Sequence, residues 1–475
     1  MHLTFPVHVR RQLTAMNGKM LNDARQCDMT GKYLQQYAHT DGWELTANSG
    51  GVVDNVVVIP ALAELKYLFR TLAALSRNDR PDLEKTLVIC VVNNKPVDDS
   101  GKAAFVDNQE TLDILRHLVE GKGIPPWVSE PSQKSWLDEI LSSNLRTGYV
   151  DASSKGRELP RRTGGVGLAR KIGFDLALES LGSPDDGWDT VFCWLDADSL
   201  VEPNYLDAVR RHVKTHRFPA SVIRYAHGAS RDPLRQQAII CYELFLRYYV
   251  WGLSFAGSPY AFHTIGSTIA GTAEGYAAVR GISIKTAGED FYFLNKIAKT
   301  GRVGRVTATT VHPSSRASAR VPFGTGRKIA GFTEEMKTHY PAYDPDAFSI
   351  LGEWLRTVHD CCDDGAEELI NRAANIHPSL AIFLRIDRFD HVWPRLVRNS
   401  RSEKSLRRHF TAWFDGLRTF RLIRHLTKHD LPPVGLFSAI GKLADMTGTE
   451  LPETNEQSPA AGQMKLLERL REIEP

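Results

Sequence analysis

An alternation of short apolar runs with segments of helical periodicity is the feature that most constrains the fold of this chain. Apolar runs rich in β-branched residues occur at 56–59, 86–92, 189–195 and 219–225, and helical patterns lie between them at 61–75, 164–182 and 202–216. This order predicts repeated strand–helix units, in which near-continuous apolar strands are typical of a buried parallel sheet. We therefore predict an α/β fold, a mostly parallel sheet flanked by helices. Ligands bind such sheets at the carboxyl ends of the strands.

The character of the sequence divides the chain into three parts. Residues 1–50 are predicted to be an N-terminal helical extension, 51–335 hold the strand–helix units, and 336–475 are predicted to be a more basic helical region. With 475 residues the chain exceeds one average domain and can bury a sizeable core.

Composition indicates an ordinary globular protein. The hydrophobic content is 42%, the net charge is +3, and we expect no nucleic-acid partner. No apolar stretch reaches the roughly 18 residues of a membrane span. The six cysteines show no metal-binding spacing, and Cys90 and Cys193 sit in apolar runs. This pattern favours a reducing cytoplasm, so we expect a cytoplasmic protein.

Two aspartates, Asp196 and Asp198, end an apolar run in FCWLDADSLVEPNY at 192–205. Like charges at the end of a buried strand are costly unless a cation pairs with them. Hard oxygen ligands favour Mg²⁺ or Mn²⁺. The alternative is that Asp198 or Ser199 caps the helix predicted to begin near Pro203.

Four motifs carry a resemblance to a known group of enzymes: VVIPAL at 57–62, ARKIG at 169–173, WLDADS at 194–199 and AGEDFYFLNKIAKTG at 287–301. In order and spacing they resemble nucleotide-sugar glycosyltransferases with the GT-A fold, and are most similar to the large family 2. The resemblance covers roughly residues 55–315. It implies metal-dependent transfer of a sugar from a nucleotide-diphosphate sugar to a hydroxyl acceptor, here an unknown glycan, lipid-linked or small molecule.

Carried over position by position, the resemblance implies contacts with the nucleotide sugar for six residues: Pro60, Ala61, Glu64, Asn93, Arg170 and Asp196. Pro60, Ala61 and Glu64 match the loop that lines the nucleotide pocket, although Ala63 stands where asparagine is common. Asn93 and Asn94 replace an acidic residue that reads the base or ribose. A cation at a helix start, as at Arg170, suits a diphosphate; the alternative is a solvated surface helix.

The same resemblance implies that Asp198, with Asp196, ligates the metal. His312, at the end of the predicted strand in VTATTVHPSSR, resembles a third ligand found in many GT-A enzymes. The alternative for a lone histidine is a structural role.

Glu289 and Asp290 match an acidic pair from which inverting members of the family draw the general base. Asp290 is our candidate, because a base must reach the acceptor hydroxyl and nearby carboxylates and burial would raise its pKa. The alternative is that acids favour the first turn of a helix through its dipole.

Two further segments have less specific signals. Tyr260 and His263 lie in the aromatic, uncharged run 255–271, which matches a region that meets a sugar or acceptor; an aromatic core is the alternative. Residues 385–428 carry twelve Lys/Arg against four Asp/Glu, a local excess of +8. Such a basic stretch can contact the inner face of a membrane peripherally, the alternative being the solvated face of a helical domain.

Two rival functions stay open. A catalytically degenerate GT-A domain would bind nucleotide or glycan without turnover, and the departures at Ala63, Asn93 and Asn94 leave room for it. A sugar nucleotidyltransferase would need a glycine-rich phosphate loop after the first strand, but residues 60–68, PALAELKYL, contain no glycine.

Overall fold

The computed structural model of the chain describes residues 29–48, 52–96, 101–181, 190–285, 288–318 and 324–474. Most of the predicted N-terminal extension, residues 1–28, lies outside the described residues. The described part of that extension, residues 29–48, contains helix 29–37 and also a strand, Leu45–Ala47, which joins the large sheet, so the extension is not wholly helical.

The strands are β1 (Leu45–Ala47), β2 (Asn55–Ala61), β3 (Thr86–Asn93), β4 (Arg146–Ala152), β5 (Val191–Trp194), β6 (Leu200–Val201), β7 (Ala220–Tyr225), β8 (Ile269–Thr272), β9 (Val303–His312), β10 (Pro341–Ala342) and β11 (Val434–Gly435). The helices are α1 (29–37), α2 (Leu65–Ser76), α3 (Arg80–Glu84), α4 (Lys102–Glu120), α5 (Pro131–Ser142), α6 (Val166–Leu181), α7 (Tyr205–His216), α8 (Pro233–Phe255), α9 (Ala273–Ala278), α10 (Glu289–Thr300), α11 (Thr325–Ala330), α12 (Glu334–Thr338), α13 (Asp346–Asp360), α14 (Ala366–Ile376), α15 (Pro378–Ile386), α16 (Phe389–Arg398), α17 (Glu403–Trp413), α18 (Gly416–His429), α19 (Leu436–Thr447) and α20 (Ala460–Ile473).

A large sheet has the strand order β1-β4-β3-β2-β5-β8-β7-β9-β6. β2 pairs in parallel with β3 and β5, β3 pairs in parallel with β4, and β7 pairs in parallel with β9. β1, β6 and β8 are antiparallel to their neighbours, so the other six of the nine strands share one direction. The prediction of an α/β fold with a mostly parallel sheet flanked by helices is confirmed.

Burial explains why the central strands read as continuous apolar runs. Val57, Val58 and Ile59 of β2 have no exposed surface, because helices cover both faces of the sheet. α6 lies very close to β2 and β3. A Cβ added at Gly173 would lie only 2.5 Å from Cγ1 of Val58 and 2.9 Å from Cγ2 of Val91. Gly173 therefore sets the depth at which α6 packs on the sheet.

The chain folds into two compact units. The first comprises the described residues between 29 and 226 and between 264 and 314 and holds the large sheet. The second comprises residues 227–263 and 315–475; in it, α8 packs against α11, α13, α19 and α20 around a core that includes Trp354. Residues 227–263 thus belong to the second unit, whereas the sequence pattern placed them in the 51–335 part.

Two further properties concern the described residues alone. Their cysteines, Cys90, Cys193, Cys241, Cys361 and Cys362, are free thiols. Within this part of the chain, no helix combines the length and the apolar character that crossing a bilayer requires.

Candidate active site

Predicted site residues follow the ends of four strands of the large sheet. Pro60 and Ala61 end β2, Asn93 ends β3, Asp196 lies two residues after β5, and His312 ends β9. These strands run in the same direction, so their carboxyl ends lie along one edge of the sheet. This is the edge at which open α/β sheets bind ligands.

Arg170 of α6 is buried without any exposed surface and bridges two carboxylates. Its Nη2 donates to Oδ1 of Asp196 at 2.5 Å, and its Nη1 donates to Oε1 of Glu289. The side chain of Asp196 is 40% exposed, whereas that of Glu289 is buried. A guanidinium without solvent needs such partners, because an unpaired buried charge is strongly destabilising. Arg170 therefore holds the carboxylates of Asp196 and Glu289 in place, and its contact with a diphosphate stays a prediction.

The backbone comes close to this ion pair at two glycines, of which only Gly167 leaves too little room for a Cβ. A Cβ at Gly266 would lie 3.6 Å from Nη1 of Arg170 and 3.8 Å from Oδ2 of Asp196. A Cβ at Gly167, in the first turn of α6, would lie 3.1 Å from Cβ of Glu289. The starts of α6 and α10 therefore meet closely enough for Arg170 to reach Glu289.

An aromatic cluster holds α6 and α10 against β5 beneath the site. The ring of Phe174 on α6 stacks on Phe192 with centroids 4.7 Å apart and lies 4.5 Å from Trp194. Trp194 also lies 4.7 Å from Phe293 on α10. Buried aromatic pairs of this kind stabilise beyond their area by roughly 1 kcal/mol each. The cluster fixes the helices that carry Arg170 and Glu289.

Asp290 follows Glu289 on α10 and is partly buried. Burial and the neighbouring Glu289 carboxylate raise the pKa of Asp290 to about 7, although the Phe291 N–H and Arg170 act in the opposite direction. The Phe291 N–H donates to Oδ1 of Asp290 at 2.7 Å. A carboxyl group that titrates near neutral pH is suited to general base catalysis.

Hydrogen bonds fix the turn that carries the two aspartates of the LDAD motif. The hydroxyl of Thr71, buried on α2, donates to the carbonyl oxygen of Ala197 at 2.8 Å. The N–H of Ser199 donates to the carbonyl oxygen of Asp196 at 3.1 Å. The turn is therefore held both from within and from α2.

The alternative that Asp198 or Ser199 caps the next helix is wrong. α7 begins at Tyr205, its N-cap residue is Asn204, and β6 intervenes between the aspartates and the helix. The LDAD motif is consequently part of the sheet edge and no part of a helix cap.

Pairing of β6 with β9 brings an acid that sequence reasoning missed next to His312. Leu200 lies opposite His312 in the antiparallel pair. Oε1 of Glu202 lies 2.7 Å from Nε2 of His312, and Nδ1 of His312 lies 2.9 Å from the carbonyl oxygen of Ala226. The available signal was weak, because Glu202 is only one more acid in the run that contains the aspartates.

The predicted metal ligands are Asp196, Asp198 and His312, and the structure does not place their ligand atoms together as one group. Carboxylates and an imidazole are donors that suit Mn²⁺ and, for the oxygens, Mg²⁺. Among the described residues, however, the three-residue group with potential ligand atoms within 4.8 Å of one another is Cys362, Asp363 and Glu403, in the second unit. Asp196, Asp198 and His312, which also belong to the described part of the chain, do not form such a group. Their chemistry fits a divalent cation, but Asp196 is already shared with Arg170.

A buried asparagine that sequence reasoning missed ties three strand ends together. Oδ1 of Asn108 on α4 accepts from the N–H of Ala63 at 2.8 Å. Its Nδ2 donates to the carbonyl oxygen of Asn93 at 3.1 Å and to Oδ1 of Asn94 at 2.9 Å, and the hydroxyl of Ser153 also donates to Asn94. Asn94 is therefore structural. Among the described residues, none donates to the buried Oδ1 of Asn93.

The loop after β2 has an unusual backbone. Ala63 adopts a φ of 52°, in the left-handed region that asparagine visits more readily than alanine. The asparagine common in the resembling family would thus suit this position, and here the bond from Ala63 to Asn108 supports the alanine. Glu64, the next residue, is buried at the N-cap of α2.

Tyr260 and His263 are buried within the second unit and have structural partners there. The Tyr260 hydroxyl donates to the carbonyl oxygen of Thr411 at 2.9 Å, and Nε2 of His263 contacts Oε1 of Glu474. These contacts favour the alternative of a packed core over the predicted contact with a sugar or acceptor.

Comparisons with known proteins give only distant likenesses. No family model matches the chain, and no curated protein matches its sequence. Similar solved structures include S. aureus TarS 1–349, at 12% identity and a TM-score of 0.35 over 75% of this chain and 92% of that chain. The same TarS fragment in complex with UDP-GlcNAc gives 12% identity and a TM-score of 0.36 over the same shares. The mannosyltransferase PcManGT from Pyrobaculum calidifontis, in complex with GDP-Man and Mn²⁺, gives 14% identity and a TM-score of 0.32 over 92% of this chain and 97% of that chain.

Proposed function

We propose that this chain is a metal-dependent glycosyltransferase of the GT-A type, similar to family 2, which moves a sugar from a nucleotide-diphosphate sugar to a hydroxyl acceptor. The observation that carries the proposal is Asp290. This carboxyl group has its pKa raised to about 7 beside a buried Arg170–Glu289 pair, at the ligand-binding edge of the sheet.

The charge balance at this edge supports a role for a cation. Asp196, Glu289 and Asp290 lie around Arg170, so this cluster carries an excess of two negative charges when the three acids are ionised. An anionic diphosphate would be repelled there without a cation. We propose that Asp198 and His312, with Asp196, hold Mg²⁺ or Mn²⁺. Such an ion, when bound, neutralises the charge that develops on a leaving nucleoside diphosphate.

Asp290 acts in this proposal as the general base. Its ionised carboxylate accepts the proton of the acceptor hydroxyl while the hydroxyl oxygen bonds to the anomeric carbon and the bond from that carbon to the diphosphate breaks. One displacement inverts the configuration. Because Arg170 pairs with Glu289 and Asp196, it orients their carboxylates. Glu289 therefore influences the reaction through the pKa of its neighbour.

The nucleotide is proposed to lie along the ends of β2 and β3. Pro60, Ala61 and Glu64 border this part of the edge, and Asn93 offers a buried carboxamide oxygen that no described residue satisfies. A buried acceptor without a donor is costly, and an N–H or O–H of a base or ribose would remove that cost.

Release of free nucleoside diphosphate tests the function directly. We expect the full-length protein to hydrolyse or transfer at least one sugar from a panel of UDP-, GDP- and other nucleotide sugars when Mn²⁺ or Mg²⁺ is present. Chelation should abolish the release, and Asp198→Ala should lower it by about 100-fold or more. Glu139→Gln, in an exposed pair with Arg77, is the matched control. Turnover that is equal in Asp198→Ala, or nucleotide binding without turnover across the panel, would contradict the proposal.

The cellular location and the acceptor of this protein stay predictions from the sequence. One is a cytoplasmic location with peripheral contact of residues 385–428 at the inner face of the membrane. Co-sedimentation with vesicles of anionic lipid, and its absence with neutral lipid, is the measurement for that contact. The other is the acceptor, which the residues at the sheet edge do not specify.

A further inference from the structure

A buried carboxylate on α6 takes half of its hydrogen bonds from the N-terminal extension. Oδ1 of Asp175 accepts from the hydroxyl of Tyr33 on α1 at 2.6 Å and from the hydroxyl of Tyr276 on α9 at 2.8 Å. Its Oδ2 accepts from the N–H of His39 at 2.7 Å and lies 2.9 Å from Nζ of Lys171, one turn earlier on α6. Asp175 has no exposed surface, so these four partners replace the water that an ionised carboxylate needs.

The hydroxyl of Tyr33 contacts both members of this buried ion pair on α6. It donates to Asp175 and accepts from Nζ of Lys171, which also lies 4.9 Å from the centroid of the Tyr33 ring. Lys171 directly follows Arg170, and consecutive residues of a helix point about 100° apart. The same turn of α6 therefore carries the arginine of the sheet-edge ion pair on one side and the contact with the extension on another.

Tyr33 also lies against the turn that anchors α10. A Cβ added at Gly281 would lie 2.3 Å from the hydroxyl oxygen of Tyr33, so only a glycine lets the two meet. Nζ of Lys296 on α10 donates to the carbonyl oxygen of Val279 at 2.8 Å and to that of Gly281. The hydroxyl of Tyr33 thus contacts, at one point, α6 itself and the turn to which α10 is bonded.

These two helices carry the groups at the centre of the candidate active site. α6 supplies Arg170 and α10 supplies Glu289 and Asp290, so the spacing of the helices decides how closely the guanidinium approaches the carboxylates. A misplacement of about 1 Å in an active site can cost about 100-fold in rate.

We propose that Tyr33 is a positioning residue of the active site, which holds α6 against α10 and thereby sets the Arg170–Glu289 ion pair. The inference rests on the proposed function, because it gives the N-terminal extension a part in the chemistry at the sheet edge. Tyr33 acts through the two helices and touches none of the site carboxylates itself.

Tyr33→Phe tests this inference, and Tyr37→Phe, the same change one turn later on α1, is the matched control. The ring of Tyr37 stacks on that of Tyr33 with centroids 6.3 Å apart, but no described residue forms a hydrogen bond with its hydroxyl. We expect Tyr33→Phe to lower kcat, per folded molecule, by about 10-fold or more while KM for the donor changes by less than about twofold. Tyr37→Phe should keep the wild-type kcat.

The pH profile separates positioning from a general loss of stability. Arg170 lowers the pKa of Asp290, whereas burial, Glu289 and Asp196 raise it. A longer separation of α6 and α10 weakens the effect of Arg170, so the rising limb of kcat/KM should move to higher pH in Tyr33→Phe. A residue that only stabilises the fold would leave this limb in place.

Urea unfolding supplies a readout that needs no turnover. The stability that Asp290→Asn gains at pH 8 grows with the pKa of Asp290 in the folded protein. This gain should be larger in the Tyr33→Phe background than in the wild type, and equal to the wild-type gain in the Tyr37→Phe background. The phenylalanine ring fills the same space and Asp175 keeps three partners, so we expect Tyr33→Phe to fold.

The outcomes separate Tyr33 from the wider function. Lower stability in Tyr33→Phe, with wild-type kcat, an unmoved pH limb and an unchanged gain from Asp290→Asn, would make Tyr33 a structural residue and overturn the inference. Absent nucleoside diphosphate release by the wild type would overturn the transferase proposal instead. The urea measurement would then still decide whether Tyr33 controls the surroundings of Asp290.

Discussion

Two clusters of charged side chains, one in each unit, each combine arginine with carboxylates and differ in their ratio of cationic groups to carboxylates. The sheet-edge cluster consists of Arg170, Asp196, Glu289 and Asp290. The helical cluster consists of His227, Glu243, Arg247, His263, Arg471 and Glu474. In the sheet-edge cluster one cation faces three carboxylates, whereas in the helical cluster two arginines and two histidines surround two carboxylates.

The pKa of the central carboxylates reflects this difference. Burial alone would raise the pKa of Glu243, but hydrogen bonds from His227 and Arg471 and the charge of Arg247 hold it well below its ordinary value. Burial raises the pKa of Asp290 as well, and there the neighbouring Glu289 raises it further, to about 7. Cations and hydrogen-bond donors around Glu243 favour its ionised form, whereas a neighbouring carboxylate raises the pKa of Asp290 into the neutral range.

This contrast suggests a division of roles. The helical cluster joins α8 to the C-terminal end of the chain, where Arg471 and Glu474 contact Glu243 and Arg247. Its ion pairs stabilise one packing arrangement. In the sheet-edge cluster the carboxylates of Glu289 and Asp290 repel each other, and the rest of the first unit compensates for this unfavourable interaction.

Asp290→Asn should have the largest effect on activity and none of the usual penalty in stability. We expect kcat to fall by about 1,000-fold or more, because the base is lost. The pKa of Asp290 is about 7 in the folded protein against an ordinary value of 3.8, so the wild type loses stability as the pH rises from 3.8 to about 7, and the loss is complete above pH 7. The variant does not have this loss. It should therefore be more stable than the wild type at pH 8, by about 1 kcal/mol or more, and its advantage should be smaller at pH 5.

Urea unfolding at the two pH values and initial rates of nucleoside diphosphate release measure these effects. A variant that retains activity, or one that loses stability at pH 8, would remove Asp290 from the role of base and would erase the contrast between the clusters.

Glu243→Gln should reverse that pattern. Removing the charge leaves Arg471 and His227 without their buried partner, and breaking a buried ion pair from one side costs about 3 kcal/mol. Nucleoside diphosphate release at 20 °C by the folded variant should change by less than about twofold, since the residue lies outside the sheet-edge cluster.

Glu403→Gln is the matched control, because its pair with Arg407 is exposed and should contribute less than about 1 kcal/mol. Equal midpoints of thermal unfolding for Glu243→Gln and the control would show that the helical cluster does not stabilise the fold.

Glu289→Gln should produce the smallest effect on activity, a shift in the pH profile, although it also removes a buried partner of Arg170 and should lower stability as Glu243→Gln does. The wild type should gain kcat/KM with rising pH through about 7, as Asp290 loses its proton. Removing the adjacent negative charge lowers the pKa of Asp290, so the rising limb should move to lower pH by on the order of one unit. A limb that stays in place, in rates measured between pH 5 and 9, would mean that Glu289 does not control the base.

Much of the sheet was predictable because buried parallel strands leave a plain apolar signal. β2, β3, β5 and β7 lie where the apolar runs predicted them. β4 and α5 were not predicted. β4 reads RTGYVDA, in which polar residues interrupt the apolar ones, and α5 follows a proline-rich stretch that gave no assignment.

The site was predictable where a motif lay at a strand end and was not where a long-range contact decided. Asp196 and Asp198 follow directly from the strand before them. Asn108 had a detectable signal, since it lies on the apolar face of α4 with Leu112 and Leu115 at helical spacing. Glu202 had almost no detectable signal, because its contact with His312 depends on the pairing of β6 with a strand about a hundred residues later.

The sequence by itself determined the sheet, the edge at which its polar residues collect and the candidate base, because strand periodicity and local motifs are encoded within a few residues. Only the tertiary structure decided what Arg170 does. Its two carboxylate partners lie 26 and 119 residues away, and a helical arginine can equally face solvent or the core. Packing of α6 and α10 on β5 makes that choice, because it removes the guanidinium from water and leaves the two carboxylates as its partners.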